Sequence, residues 1–181
     1  MNANRGLRGV TAIELMIVVA IAAILATLAA PSFQSLLDRQ RVRSAASNLG
    51  VDIQYARSEA VRRNAPVTVS FSAGSTPWCY GIVDGAAACD CGVAGSCNLK
   101  TSRGDDFANV SMALAGGSGV TIDPRVGRVT AIPGGDSGAA TTAITFSSTT
   151  TASAQLRSCL NAMGRVQQCA PGGTHLGCST C

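Results

Sequence analysis

An apolar segment close to the N-terminus constrains this chain most. It runs from Val10 to Ala30 and follows a short polar stretch, residues 1–9, that carries two arginines. At about 1.5 Å of rise per residue, a helix of this length spans roughly 31 Å, close to the hydrocarbon core of a bilayer. Basic residues ahead of it are typical of a cytoplasmic start. The segment therefore predicts a membrane-directed helix.

One acidic residue separates two interpretations of this segment. An ordinary secretory signal peptide would be cut after small residues near Thr27–Ala30, and it has no use for a charge inside its apolar run. Glu14 lies inside that run. An acidic side chain at the middle of a bilayer costs on the order of 2.5–3.5 kcal/mol, so its default interpretation is functional. Glu14 therefore favours a segment that is retained.

The residues around Glu14 resemble the prepilin motif. The stretch is Gly9–Leu15, with the sequence GVTAIEL. The resemblance implies cleavage between Gly9 and Val10 by a dedicated peptidase, N-methylation of Val10, and a filament register set by Glu14, which neutralises a terminal amine. A buried carboxylate and a buried ammonium group are each costly alone and tolerable as a pair. Val10 and Ala12 replace the usual phenylalanine and leucine.

A second helical stretch follows the apolar one. Pro31 removes a helix hydrogen bond and predicts a kink. From Phe33 to Arg62, apolar residues recur at steps of three and four, which predicts an amphipathic helix. Its opposite face carries arginines, which solvent, neighbouring subunits or lipid head groups would contact. We expect four parts: a leader at 1–9, a transmembrane and filament-core helix at 10–30, its amphipathic continuation at 31–64 and a disulfide-rich β domain at 65–181.

The helical spacing of apolar residues ends at Asn64-Ala65-Pro66, and a two-residue alternation follows. Alternating residues from Val67 to Phe71 predict a half-buried strand, and glycine- and proline-rich turns separate the later candidates. We therefore predict an α+β fold in which one long N-terminal helix packs on a small antiparallel sheet domain. The further strand candidates are Tyr80–Val83, Phe107–Leu114, Val120–Ile122, Arg128–Ile132, Thr142–Phe146, Ala154–Leu160 and Arg165–Gln168.

Eight cysteines, all after residue 75, predict disulfides in an oxidising compartment. With only seven aromatic residues the core is thin, and each disulfide would add roughly 2–4 kcal/mol. Sequence does not give the pairing, although Cys159 and Cys169 flank a turn and are expected to face each other. Zinc fits the Cys89–Cys97 group, and the tail cysteines with His175, but disulfides are commoner in an exported domain, so we expect no metal. The candidates are Cys79, Cys89, Cys91, Cys97, Cys159, Cys169, Cys178 and Cys181, with Cys178–Cys181 and pairs within 79–97 as further options.

Three stretches resemble the GspH/FimT class of minor pilins and pseudopilins. Ile122–Val129 and Arg157–Val166 are similar to its two glycine-arginine hairpins, and Gln54–Val61 is similar to its helix. The resemblance leaves out residues 85–106 and the tail after Cys169. Tight hairpins need a positive backbone angle, which glycine supplies.

This resemblance implies a structural subunit for the assembly or priming of a type IV pilus, used in adhesion, twitching motility or natural transformation. A minor pseudopilin of type II secretion is the alternative. The implied partners are other pilins or pseudopilins, through the N-terminal helix, and the prepilin peptidase. The implied location is the bacterial inner membrane, single-pass with a periplasmic C-terminal domain, and then a filament. We expect neither a cofactor nor a small-molecule substrate.

Some members of the class bind DNA through a C-terminal glycine-arginine-x-arginine motif. The matching residues here are Gly164-Arg165-Val166-Gln167, so the second arginine is missing. From Asn64 onward, six basic residues meet six aspartates, and affinity for DNA depends on the number of phosphate contacts. DNA binding through Arg165 is therefore expected to be weak or absent.

One enzyme motif needs weighing. Gly135-Asp136-Ser137-Gly138 matches the nucleophile motif of chymotrypsin-like proteases, whose serine requires a histidine base. The sole histidine, His175, follows the serine, contrary to the order in that family. We interpret the motif as a polar turn and expect no enzymatic activity.

Overall fold

The computed structural model describes residues 11–74, 77–115, 117–131 and 142–169. One long helix comes first and strands follow it. The chain divides into two compact units, with the boundary between Leu37 and Asp38. The elements are α1 (Ala12–Arg63), β1 (Val67–Ser72), β2 (Cys79–Asp84), β3 (Lys100–Arg103), a 3-10 turn (Gly104–Asp106), β4 (Val110–Ala115), β5 (Gly119–Ile122), β6 (Val129–Ala131), β7 (Thr142–Ser148), β8 (Gln155–Leu160) and β9 (Val166–Cys169).

The part of α1 from Asp38 to Arg63 supplies one wall of the core. The apolar positions at three- and four-residue steps from Val42 to Ala60 are buried there, as their periodicity predicts. Phe33 and Leu36 belong to the same pattern but are exposed. Within the sheet-containing unit, the apolar stripe is therefore buried from Val42 onward.

The strands form two antiparallel sheets. The first has the order β3-β2-β1-β5-β6 and the second the order β4-β7-β8-β9. The predicted α+β class with a long N-terminal helix on an antiparallel sheet domain is confirmed. Two details were wrong. One sheet was expected where there are two, and β3 was missed because Lys100–Arg103 contains no apolar residue and pairs as an edge strand with β2.

An aromatic cluster centred on Trp78 joins the two sheets. Its ring stacks on Tyr80 and Phe107 at centroid distances of 6.4 and 5.7 Å, and meets Phe146 edge-on at 5.5 Å. Phe71 adds a contact to Tyr80. The buried indole Nε1 donates a hydrogen bond to the carbonyl of Val110 at 2.7 Å, so its polar group is satisfied. Most of the few aromatic residues are thus concentrated at one place, which compensates for their scarcity.

Three acidic residues on the buried side of α1 fix its position on the sheets. Asp38, Asp52 and Glu59 are all buried, although carboxylates rarely are unless they are paired. Asp38 accepts hydrogen bonds from the hydroxyls of Thr150 and Thr151, in the turn between β7 and β8, at 2.6 and 2.7 Å. These bonds, with that of Thr150 the strongest influence, hold the pKa of Asp38 below its ordinary value.

The second carboxylate bonds to the other sheet. Asp52 accepts a hydrogen bond from the Tyr80 hydroxyl at 2.8 Å and forms an ion pair with Lys100 at 2.5 Å. Burial is the main cause that raises the pKa of Tyr80, so the phenol stays protonated and remains a donor.

The third carboxylate is at the end of α1. Glu59 accepts hydrogen bonds from Arg62 at 2.6 Å and Arg63 at 2.7 Å, and Arg63 also pairs with Asp84 at the end of β2. Arg62 first, and then Arg63, lower the pKa of Glu59 to about 2. Because the pKa is lower in the folded state, the ionised form of Glu59 stabilises the fold.

We predict that Glu59→Gln lowers the melting temperature at pH 7. The difference from the unsubstituted chain should be full above pH 4.5, the ordinary pKa, and should shrink as the pH falls towards about 2. Thermal unfolding of the detergent-solubilised chain, followed by circular dichroism between pH 2 and pH 7, measures it.

Asp105→Asn is the control for this experiment, because Asp105 is an exposed acid outside the ion pairs of the described residues. It should change the melting temperature little at any pH. A Glu59→Gln deficit that stays constant down to pH 2 would contradict the assignment.

Candidate assembly surfaces

The start of α1 is capped by its own sequence. The backbone N–H of Glu14 donates to the hydroxyl of Thr11 at 3.3 Å, and α1 begins at the residue after Thr11. Threonine followed three residues later by glutamate is the sequence of a capping box, and a glutamate in the first turn is also favoured by the helix dipole. The place of Glu14 in the first helical turn was expected from the sequence, whereas the cap by Thr11 was not, although the Thr-x-x-Glu spacing is a signal for it. Glu14 therefore stands next to a helix start that Thr11 defines.

The first half of α1 presents an apolar surface. Every side chain from Ala12 to Thr27 is exposed, including Met16 and Ile24. Within the described ranges no single helix is long and apolar enough to be a candidate membrane span, whereas Ala12–Thr27 and Ser32–Arg63 pass together as a bent pair. The predicted span at 10–30 and the kink at Pro31 stay predictions.

The predicted processing site lies outside the described residues. Gly9 and Val10 precede residue 11, so cleavage between them and methylation of Val10 stay predictions, as does the role of Glu14 in filament register.

The two glycine-arginine stretches form hairpin turns that dock on each other. We name them the twin hairpins: the turn Asp123–Arg128 between β5 and β6, and the turn Asn161–Arg165 between β8 and β9. The N–H of Val129 donates to the carbonyl of Ala162 at 2.9 Å, which joins the sheets across the turns. The side-chain amide of Gln54 donates to the carbonyl of Gly164 at 3.2 Å, which ties the second turn to α1.

The docking explains why both turns contain glycine. Gly127 and Gly164 have φ angles of +63° and +73°, in the left-handed region that L side chains rarely adopt. A Cβ on Gly127 would lie 2.5 Å from Nε of Arg57, and one on Gly164 would lie 3.3 Å from the carbonyl oxygen of Gly127. The two turns and the guanidinium group of Arg57 are therefore packed too closely for a side chain. The positive backbone angles agree with the sequence-based expectation, whereas the close approach to Arg57 has no local signal in the sequence.

The docked turns present arginines to solvent. Arg128 and Arg165 directly follow the two glycines, and both are exposed, as is Arg125. The Asp123 carboxylate in the same turn accepts the backbone N–H of Arg125 at 2.7 Å. Gln167, which stands where a second arginine of the DNA-binding motif would be, is also exposed. DNA binding at Arg165 stays a prediction.

Two disulfides cross-link the segment that follows β2, residues 85–97, which we name the insertion. Cys79 bonds to Cys91 and Cys89 bonds to Cys97, with Cα separations of 5.8 and 5.3 Å. The pairs overlap in sequence, so they hold residues 79–97 as one compact unit. A Cβ on Gly81 would collide with the side chain of Cys97, so the insertion lies directly on β2.

The other cysteines are described only in part. Cys159 and Cys169 are both disulfide-bonded. The register of β8 and β9 places Cys159 opposite Gln167 and Cys169 opposite Arg157, which offsets the two cysteines by two residues. Their predicted pairing with each other stays a prediction. Cys178 and Cys181 lie outside the described residues.

Two alternatives to a structural role were a metal site and a protease-like site. Within it, no group of three or more His, Cys, Asp or Glu side chains could hold a metal ion. The protease-like motif at Gly135–Gly138 and His175 both lie outside the described residues.

Comparison of the sequence with protein families shows which family has these turns. The family described as type II transport protein GspH matches residues 45–166, which is more than half of the chain. The chain belongs to the GspH family. The match includes α1 from Ala45, the strands β1 to β8 and both turns of the twin hairpins, so the predicted membership of the GspH/FimT class is confirmed.

A search of solved structures found two similar chains. Both are crystal structures of the type IV minor pilin FimU of Pseudomonas aeruginosa, in two crystal forms. Each has 19% sequence identity to this chain, with TM-scores of 0.49 and 0.46, and the alignments cover 73% and 70% of this chain and 90% of each pilin. A search of curated proteins found no match. Membership of the GspH family supports a minor pilin or pseudopilin role.

We predict that Gly127→Ala destabilises the domain by about 1–2 kcal/mol or more, because alanine must adopt a left-handed angle and its Cβ would displace Arg57. Urea unfolding of the solubilised chain measures the change.

The matched control is Gly50→Ala, within α1, where a Cβ would meet nothing within 4 Å. It should stabilise the domain by about 0.5–1 kcal/mol, because alanine has the higher helix propensity. Equal effects of the two substitutions would contradict the docked geometry of the twin hairpins.

Proposed function

We propose that this chain is a minor pilin-like structural subunit that is built into a type IV pilus-like filament through the N-terminal half of α1. The observation that carries the proposal is a capped, apolar and fully exposed helix that continues into a GspH-family domain. The role requires no catalytic group and no cofactor.

The exposed helix surface needs a second component. Large apolar side chains from Ile13 to Leu25 are more than half exposed, and an apolar surface of this extent marks a membrane or protein contact. A helix satisfies its own backbone hydrogen bonds, so the same surface tolerates lipid. We propose that lipid covers it while the subunit is stored in the inner membrane, and that helices of other pilins or pseudopilins cover it in the filament.

Glu14 gives this surface a specific register. Its side chain is exposed among apolar neighbours, and it forms no ion pair with another described residue. In an apolar filament core a lone carboxylate would be costly, whereas one paired with an ammonium group would be tolerated. We propose that the amine released at Val10 by prepilin peptidase supplies the partner.

A second candidate is a minor pseudopilin of type II secretion, which the description of the matching family favours. Deleting the chain's gene separates the two. Loss of surface pili with normal protein export supports the pilus. Loss of protein export with normal surface pili supports the secretion system.

We predict that membranes contain a chain that begins at methylated Val10 only when prepilin peptidase is present. Intact mass and N-terminal sequencing of the purified protein test this. A chain that begins near Pro31, or one left unprocessed in both strains, would refute the proposal.

We further predict that Glu14→Gln is processed normally but is lost from sheared filaments by at least about tenfold, since an unpaired buried ammonium would cost more than the 1.4 kcal/mol that this ratio represents. Glutamine can still occupy its place in a capping box, so the helix start is preserved. Immunoblots of filament and membrane fractions give the ratio.

Thr11→Ala is the control, because it removes the cap and leaves the charge at Glu14. It should weaken the helix start by about 1 kcal/mol and reduce incorporation much less. If Thr11→Ala and Glu14→Gln reduce incorporation equally, Glu14 acts through the helix start and its register role is wrong.

A further inference from the structure

A cleft in the sheet-containing unit lies between α1 and the chain that enters β8. Its volume is about 310 Å³. Arg39 and Arg43 line it from α1, and Ser153 and Gln155 line it from the turn before β8 and from the first residue of β8. All four side chains are exposed. The cleft therefore offers two cationic groups, a hydroxyl and an amide to a ligand that arrives from outside.

The two arginines of this cleft have no acidic partner among the described residues. They stand four residues apart on α1, a spacing at which like charges repel each other. The acid closest to them in the sequence is Asp38, which is buried and already accepts hydrogen bonds from two threonine hydroxyls and from Arg41. The cleft thus carries two positive charges that the described part of the domain does not neutralise.

The rest of the cleft lining is mainly apolar. Val42 belongs to the main core, and Leu156 is half-buried against that core. A bare inorganic ion would leave this apolar area uncovered, whereas an anionic group that is attached to carbon atoms would cover it. The composition of the cleft therefore favours an organic phosphate or carboxylate over a free ion.

The chain also places these arginines close to the apolar half of α1. The segment Leu15–Leu37 contains no charged residue, and at about 1.5 Å per residue a helix of its length covers roughly 35 Å, slightly more than a hydrocarbon core. Phe33 and Leu36, near its end, are more than half exposed. Arg39 follows that end by two residues, so chain connectivity keeps the two within about 7 Å. If the segment lies in a bilayer, Arg39 is therefore close to the headgroup layer, which is roughly 5–8 Å thick.

We propose that this cleft binds the phosphate of an anionic phospholipid headgroup while the subunit is stored in the membrane. The inference rests on the proposed membrane-stored form of the chain. Guanidinium groups match the geometry of phosphate oxygens and keep their charge, so Arg39 and Arg43 would hold the phosphate from one side. Ser153 and Gln155 would bond to the polar part of the headgroup from the other side. The bound lipid would keep the domain at the membrane surface until the subunit is extracted.

Native mass spectrometry of the full-length chain in detergent tests the proposal. The chain is mixed with equal amounts of phosphatidylglycerol and phosphatidylcholine that have the same acyl chains, so both lipids offer the apolar helix identical hydrocarbon. We expect phosphatidylglycerol adducts to exceed phosphatidylcholine adducts at least about tenfold, because the choline cation opposes the two arginines.

Single substitutions show whether the preference comes from the cleft. Arg39→Gln and Arg43→Gln should each lower the ratio of the two adducts at least about fivefold, since each arginine contributes separately to the attraction. Gln155→Glu should lower it as well, because a carboxylate would then oppose the phosphate from the other wall. The controls make the same chemical changes outside the cleft lining: Arg41→Gln on α1, and Gln167→Glu on β9. Both should leave the ratio unchanged, and circular dichroism checks that every variant is folded.

A water-soluble phosphate compound is the other source of the same chemistry. Glycerol 3-phosphate and inorganic phosphate are therefore added to separate samples at the concentration of phosphatidylglycerol. We expect neither to reduce the lipid adduct, because neither has acyl chains to place beside the apolar helix. Displacement by either compound at equal concentration would assign the cleft to a soluble phosphate and overturn the lipid assignment.

Two further outcomes would overturn the site. One is an equal ratio of the two lipids on the unsubstituted chain. The other is a loss in Arg41→Gln as large as that in Arg39→Gln, which would indicate attraction to the overall charge of the helix and not binding in the cleft.

This measurement requires neither processing nor filaments, so its failure differs from failure of the proposed function. Chains that begin at methylated Val10 and enter filaments, but show no lipid preference, would refute only the headgroup site. Chains that prefer phosphatidylglycerol but are never processed would support the site and refute the filament role.

Discussion

The arrangement of the domain depends on three buried carboxylates that stand seven or fourteen residues apart on one side of α1. Two turns of an α-helix take about seven residues, so Asp38, Asp52 and Glu59 share a face, with the buried Ala45 between the first two. Each must be paired where it lies, because an unpaired buried charge costs several kcal/mol. Asp38 pairs with the β7–β8 turn and Asp52 pairs with two residues of the first sheet. Glu59 pairs with Arg62 and Arg63 of α1, and Arg63 also pairs with Asp84 at the end of β2. Apolar contacts alone would allow the helix to slide by a turn, whereas these pairs specify one register.

A fixed register is also what brings the twin hairpins together. Gln54 and Arg57 come from the same part of α1 as Asp52 and Glu59, and they contact the two turns directly. If the helix were displaced by one turn, the carbonyl of Gly164 would lose its donor and Arg57 would move away from Gly127. The turns therefore depend on the helix, and the exposed arginines that follow the glycines depend on the turns. The glycines of the two glycine-arginine stretches are therefore required by a contact between α1 and the two turns.

Sequence predicted those elements whose pattern is local. The α1 stripe from Val42 to Ala60 and the alternation of β1 were visible because burial on one face imposes a period of 3.6 or 2. β3 has no apolar residue and forms because it pairs with β2, so no apolar alternation in the sequence predicts it. The division into two sheets depends on pairings between distant strands, which local patterns do not encode. The acidic residues at spacings of fourteen and seven along an apolar stripe, and the Thr-x-x-Glu start at Thr11, are local patterns as well, and they predict a charged anchor on a helix face and a helix cap.

The sheet-containing unit has its own core and its own cross-links. It begins at Asp38, the first of the three buried carboxylates, and it contains every residue of the main hydrophobic core in the described part of the chain. Two disulfides add covalent stability within the same unit. The proposed filament function requires that the subunit leaves a membrane during assembly. A domain whose stability relied on its anchor would unfold in that step, whereas a domain with its own core and disulfides would keep its fold.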